Sequence, residues 1–297
     1  MNNIISTRLM GGLGNQLFQY ATAYALSKEQ GRELVLDTRF FDSYTLHGGY
    51  KLDRLNISSR KLTNEECSYF PLWQIRLLTR FPKLDCFFRN WLLEKSFNFQ
   101  ILSTKQDKSV NLVGYWQSPK YFAKYRELLK IEFSPKSSLN KHYQNHTSNI
   151  MENDSVAIHI RRGDYLSNPN ALAKHGVCTT GYYKAAIELI KKKYKEPKFF
   201  FFSDDIAWTK LEFADLLQNY HCTYVSGGTA EDDFWLMSKA KNHIIANSTF
   251  SWWAAWLADH EENNIVICPD PWFDDQYINT DDLLPGSWIK LNKYHGS

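Results

Sequence analysis

VAIHIRRGDY, residues 156–165, decides how the rest of the chain is read. Val156, Ala157 and Ile158 open an apolar run without polar alternation, the pattern of a strand buried on both faces of a parallel sheet. His159, Arg161, Arg162 and Asp164 then crowd the point where such a strand ends. In doubly wound sheets ligands sit beyond the carboxyl ends of the strands, and guanidinium groups match the paired oxygens of a phosphate. The stretch therefore predicts an α/β fold with a diphosphate site at the end of this strand. Side chains alternate along a strand, so His159 and Arg161 should share one face. Arg162 starts on the other and is brought back by the turn at Gly163. A structural ion pair between arginine and Asp164, pinning the loop, is the competing account of the same residues.

Working outward, strands are expected at 198–203, 222–225, 243–247 and 265–268, with helices at 180–194, 206–219, 229–241 and 249–259. The start of the chain has the same grammar. Residues 3–9 read as a strand, and GGLGNQLFQYATAYALSKEQG (11–31) reads as a glycine turn and a helix. Leu17, Tyr20, Ala21, Tyr24 and Ala25 share one helical face, and Gly31 takes the position just past the end. LVLD (34–37) is a second strand, so a parallel α/β domain opens the chain. The glycine turn fits neither a dinucleotide fingerprint nor a P-loop. Residues 136–154 are polar and read as a linker between an N-terminal domain, 1–150, and a C-terminal domain, 151–297.

With 297 residues the chain exceeds a usual domain of ~100–150 residues. Its apolar content of 43% supplies a core, and its formal charge of +3 excludes the basic surface of a nucleic-acid binder. The five cysteines are scattered, with no Cys-x-x-Cys pair or zinc spacing, and read as reduced cytosolic thiols. No secretion signal or run of ~18 apolar residues is present, so a cytoplasmic protein is expected. Residues 71–100 are rich in Trp, Phe and Leu and carry Arg76, Arg80, Lys83, Arg89 and Lys95 against Asp85 and Glu94. They are either helices packed on the first domain or a peripheral contact with the inner face of a membrane.

A second constellation is EDDFWLMSKAKNHIIANSTFSWWAAWL, residues 231–257. An acidic helix start leads to a strand and then to a hydroxyl-rich turn into another helix. Ser248 or Thr249 is placed to cap that helix, leaving its first amides to Ser251 or to a phosphate. Asp233 can accept two N–H bonds from a guanine edge; favouring the helix dipole is the alternative reading of the acidic turn.

HIRRGDY, FFFFSDDIAW (199–208), the segment 231–257 and the opening glycine turn together resemble the bacterial α-1,2-fucosyltransferases of glycosyltransferase family 11. The resemblance implies a GT-B-like α/β fold, two Rossmann-like domains facing across a cleft, with the acceptor on the first and GDP-fucose on the second. It implies an inverting, metal-independent transfer of L-fucose to the 2-hydroxyl of a terminal galactose, on an oligosaccharide or lipid-linked glycan of the O-antigen kind. Carried over by residue, it places His159, Arg161 and Arg162 on the donor diphosphate and Asp233 on guanine. Ser248, Thr249, Ser251 and Trp252 fall in the stretch that meets the phosphates, and Asn15 falls beside the reacting centre. No cofactor is implied, and the sequence holds no Asp-x-Asp triplet; the adjacent Asp204 and Asp205 are the alternative, a Mg²⁺ pair.

Arg161 is expected to stabilise charge developing on the departing β-phosphate. For the general base Asp164 comes first, with His175 and Asp37 behind it; where related fucosyltransferases carry a glutamate ten residues after the motif histidine, Pro169 stands. Two other functions fit parts of the chain. One is a non-catalytic glycan-binding protein using the Trp-rich segments 70–100 and 252–256 as a platform, and the other is a glycosyltransferase for a different sugar or linkage.

Overall fold

The computed structural model describes residues 3–44, 48–105, 107–137, 141–151, 154–163 and 169–296. Its opening run forms β1, Ile5–Arg8, and the strand expected at 34–37 is β2, Leu34–Asp37. Arg60–Lys61 (β3), Trp91–Leu93 (β4) and Val110–Val113 (β5) complete a parallel sheet in the order β3-β2-β1-β5-β4. These last three strands have four residues or fewer, too few for a period to separate strand from loop in the sequence.

The helix after the glycine turn spans Leu13–Gln30 and stops at Gly31, whose φ of 61° and N–H bond to the Ser27 carbonyl close the last turn. Leu17, Tyr20, Ala21, Tyr24 and Ala25 are buried as expected, but Gln16, Phe18, Gln19 and Thr22 are buried too. The helix is covered on its far side. Phe122 lies 5.9 Å from Phe18, Phe133 5.6 Å from Tyr20, and Tyr125 6.2 Å from Tyr24, ring to ring.

The second sheet contains β6 (Ser155–Ile160), β7 (Lys198–Ser203), β8 (Cys222–Val225), β9 (Asn242–Ile244), β10 (Val266–Asp270) and β11 (Ile289–Asn292). All neighbours are parallel, in the order β11-β10-β9-β6-β7-β8. Counted from β6 as first strand this is the order 3-2-1-4-5-6 of a Rossmann sheet, which reverses direction between β6 and β9. Helices Thr180–Lys193, Ile206–Phe213, Ala230–Met237 and Thr249–Leu257 occupy the expected places, the second and third shorter than the sequence pattern suggests. Val156, Ile158 and Ile160 pack with Phe199, Phe201, Tyr182, Ile187 and Phe213 in one buried cluster, so β6 has the apolar environment its run demands.

The chain divides into two compact units, Met1–Ser134 with Asn279–Leu284, and Pro135–Ile278 with Pro285–Ser297. The stretch expected to be a linker contributes the helix Lys141–Ile150 to the second unit, which moves the division from 150 to 134. Tyr143 and Ile150 are fully buried and anchor this helix; two large apolar residues in a polar stretch are easily overlooked. The five cysteines are unpaired. Among the described residues no helix is long and apolar enough to cross a membrane.

Candidate active site

The order reversal between β6 and β9 marks where a ligand of the second unit belongs, and His159 stands there. Its ring is 8% exposed, with Nδ1 2.9 Å from Ser251 Oγ and the ring 5.4 Å from that of Phe250. Just past β6, the backbone N–H groups of Arg162 and Gly163 donate to Asp204 Oδ1 at 3.0 Å and Oδ2 at 2.9 Å. Asp204 thus pins the start of the loop. Asp164, the partner expected for that task and the first candidate for the base, lies outside the described residues.

Arg161 is half-buried one position beyond β6. The guanidinium carbon of Arg162 sits 3.7 Å from the centroid of the Trp208 ring. Stacking on an aromatic face leaves the in-plane N–H edge of a guanidinium for an oxyanion, and Arg162 Nε is buried without a hydrogen-bond partner among the described residues. Asp205 caps the helix Ile206–Phe213 by accepting the Trp208 N–H at 3.1 Å. Both adjacent carboxylates thus accept bonds from backbone amides.

At the helix Thr249–Leu257, Ser248 holds the N-cap position but its hydroxyl makes no cap bond. The expectation of a capping hydroxyl is corrected for Ser248. The serine side chain that bonds locally is that of Ser251, with the His159 ring and, at 3.3 Å, the Ser248 carbonyl. An anion at this helix start would meet a turn that its own N-cap side chain does not cover. Trp252 is fully buried, its ring stacked on Trp256 at 5.8 Å and tilted on Trp288 at 5.7 Å. Trp253 is also fully buried, so residues 252–256 are largely core and do not make a sugar platform.

The acidic turn resolves into separate tasks. Thr229 and Asp232 form a capping box, with Asp232 Oδ2 accepting the Thr229 N–H at 3.0 Å. Asp233 is spare for the helix end; Tyr143 O–H donates to its Oδ1. Burial, and then the neighbouring charge of Asp232, push the Asp233 carboxyl up to about 6 against the pull of the Tyr143 hydroxyl. Phe234 lies 6.2 Å from Phe250, so Asp233 sits one residue from the aromatic contacts that reach His159.

In the first unit the carboxyl ends of β1 and β5 bring together residues far apart in sequence. Asn15, in the first turn of its helix, accepts a bond at 2.9 Å from Gln117 Nε2. Gly11, with φ of 72°, passes so close that a Cβ there would stand 2.8 Å from Asn15 Nδ2. Gln117 follows Trp116, a non-glycine residue at φ 56°. The Glu94 carboxylate accepts the N–H of Tyr115 at 2.7 Å and that of Trp116 at 2.9 Å. Such a backbone costs ~1–3 kcal/mol, and hydrogen bonds to a charged group contribute ~1.5–3 kcal/mol each, so the two amide bonds suffice to hold it. The sequence reading missed Glu94, Trp116 and Gln117; the available signal was GYWQSP, residues 114–119, directly after a short apolar strand.

Asp37, behind Asp164 among the base candidates, is held by two arginines. Its side chain is fully buried, paired with Arg39 through two bonds of 2.8 Å, 3.6 Å from Arg8, and bonded by Asn111 at 2.9 Å. Burial alone would raise its pKa, but Arg39 and then Arg8 bring it below the usual value, which weakens it as a proton acceptor. His175 uses its carbonyl, which accepts from Asn247 Nδ2 and Lys293 Nζ at 2.7 Å each, and its ring lies 5.2 Å from Phe273.

The profile of Glycosyl transferase family 11 matches residues 4–292. The chain belongs to glycosyltransferase family 11. This family member is 41% identical to an alpha-1,2-colitosyltransferase of Escherichia coli over 98% of its own length and 100% of the relative's. It is 34% identical to the O-antigen biosynthesis glycosyltransferase WbnK of Escherichia coli, over 95% and 99% of the two chains. Among solved structures, the alpha-1,6-fucosyltransferase NodZ co-crystallised with GDP aligns with a TM-score of 0.55 and 16% identity, over 87% of this chain and 93% of that one. That likeness shows the fold, GT-B-like α/β with two Rossmann-like units.

Proposed function

We propose that this glycosyltransferase is an inverting galactoside α-1,2-fucosyltransferase. It moves L-fucose from GDP-β-L-fucose to the 2-hydroxyl of a terminal galactose, on an O-antigen-type oligosaccharide or its lipid-linked precursor at the cytoplasmic face of a membrane. One observation carries the reading: at the order reversal of the second sheet His159, on β6, meets Ser251 in the turn after β9, and Arg161 and Arg162 follow β6 directly; Asp233 is taken as the guanine reader, its carboxylate able to accept both N–H groups of a guanine edge. The identity to an α-1,2-colitosyltransferase and to an O-antigen glycosyltransferase supports the linkage and the setting.

The galactose 2-oxygen attacks the fucose anomeric carbon from the face opposite GDP, the bond to the β-phosphate oxygen breaks, and the hydroxyl proton passes to a base, for which Asp164 is the first candidate. Charge gathers on the β-phosphate as the bond breaks. A fixed Arg161 there lowers the barrier because it meets more charge in the transition state than in the ground state. Arg162 and the helix start supply further positive potential, which supports a reaction that needs no metal.

A second reading, transfer of colitose, is favoured by the 41% relative. Turnover of GDP-fucose with a panel of β-galactosides in excess chelator, followed by linkage analysis, tests the leading one. Fucose on the galactose 2-hydroxyl is expected, with Arg161→Ala slower by ~10²–10³ as a lost transition-state contact implies. A different linkage, dependence on added metal, or an unimpaired Arg161→Ala enzyme would each strike out the corresponding part.

A further inference from the structure

The first unit contains a device that the second-unit chemistry does not explain. Glu94 ends up beside β5 because β4 pairs with it in parallel, Leu93 opposite Val113. Its side chain then crosses the outgoing chain. A Cβ on Gly114 would stand 2.3 Å from Glu94 Cβ, so glycine is required for the carboxylate to reach the two amides beyond. Those bonds fix Trp116 at φ 56°. Trp116 is 1% exposed and lies 5.8 Å from Tyr121, ring to ring, so its indole is the anchored side of the turn. The residues on either side point elsewhere in effect. Tyr115 keeps 40% of its surface exposed, and Gln117, 5% exposed, spends its amide nitrogen on Asn15 and keeps a buried Oε1 without a partner among the described residues.

This turn stands at the carboxyl end of β5, next to that of β1, the side of a parallel sheet on which ligands sit. An exposed aromatic ring fixed at such a place suits the apolar face of a pyranose. We propose that Tyr115 is an acceptor-sugar contact and that Glu94 is its positioning residue, holding Tyr115 outward and Gln117 against Asn15. The proposal rests on the glycosyl-transfer reading above and deepens it by assigning the acceptor side of the site.

The test is steady-state kinetics of Glu94→Gln and Tyr115→Leu against both substrates, with GDP affinity and melting temperature measured alongside. Glu94→Gln keeps the shape but sets an NH₂ group against one of the two amides, so the turn loosens without leaving a cavity. Both variants should raise the acceptor KM about tenfold while donor KM and GDP affinity stay at the parent values. Tyr115→Leu alters an exposed side chain and remains informative if Glu94→Gln fails to fold. Unchanged acceptor KM in Tyr115→Leu overturns the sugar contact. A fall in kcat with both KM values unchanged in Glu94→Gln, tracking a lower melting temperature, reduces Glu94 to a structural role. A parent enzyme that binds GDP-fucose yet transfers to no galactoside overturns the parent reading and this proposal with it.

Discussion

Asp233 poses a question of charge at the residue scale, because a guanine reader must be ionised while its site favours the neutral form. The carboxyl titrates near 6 in the folded chain against 3.8 ordinarily. Between those values the folded chain holds a proton that the unfolded chain has released, so this group's contribution to stability falls as pH rises through the window. Guanine recognition runs the other way and grows as the carboxylate forms. The donor KM for GDP-fucose should therefore climb as pH drops through about 6; both donor phosphates are esterified, so the ligand does not titrate there. Asp233→Asn should show a weaker and pH-flat donor KM, and an Asn variant that kept the same step would assign it to another group. The sequence suggested Asp233, but on position alone the helix dipole was the better account of its charge. The structure gives the capping box to Thr229 and Asp232 and brings Tyr143, from a stretch that reads as a linker, onto Asp233. Trp252 illustrates the converse: a motif position adjacent to Ser251 whose ring is wholly committed to packing.

Elements were legible where a helix is long or a short apolar run lies beside a recognised element. The Leu13–Gln30 helix, β2 and the second-unit strands β6 to β8 fall at or within a residue of their sequence patterns. The segment 71–100 remained ambiguous because a packed amphipathic helix and an interfacial one share a period. The structure divides it: in the helix Leu72–Arg80, Ile75 and Leu78 enter the core with Phe70 and Trp91, which bears out packing on the first unit for that face. Trp73, Arg76 and Arg80, spaced i, i+3 and i+7, lie exposed on another stripe. Trp73 contacts Phe88 at 5.7 Å, and Phe81 and Phe87 are 50% and 76% exposed among Lys83 and Arg89. Asp85, the acidic residue of this patch, is paired with Lys95. Exposed aromatics set among exposed cations suit an anionic bilayer. At ~1 kcal/mol per cation near such a surface, flotation should recover the protein with phosphatidylserine-containing vesicles far better than with phosphatidylcholine alone. Charge reversal by Arg80→Glu and Lys83→Glu should abolish the difference. Equal recovery on both vesicle types would leave the patch without a membrane role.

For the whole molecule the open choice is between two donors that differ by one oxygen, since colitose is L-fucose without its 3-hydroxyl. Physics makes the two possible specificities unequal in size. A site built to hydrogen-bond the 3-hydroxyl leaves buried polar groups unpaired when colitose enters, and discriminates by ~10⁴ or more; an apolar pocket for colitose rejects the added hydroxyl of fucose by only ~10². The ratio of kcat/KM for GDP-fucose and GDP-colitose on one acceptor therefore reports the pocket as well as the preference. With GDP-fucose as natural donor the ratio should exceed ~10³ in its favour. A modest preference for GDP-colitose would instead align this chain's donor with that of the relative to which it is 41% identical. It would leave the guanine, diphosphate and acceptor assignments standing, because Asp233, Arg161 and the Glu94 turn are assigned roles away from the sugar's third carbon.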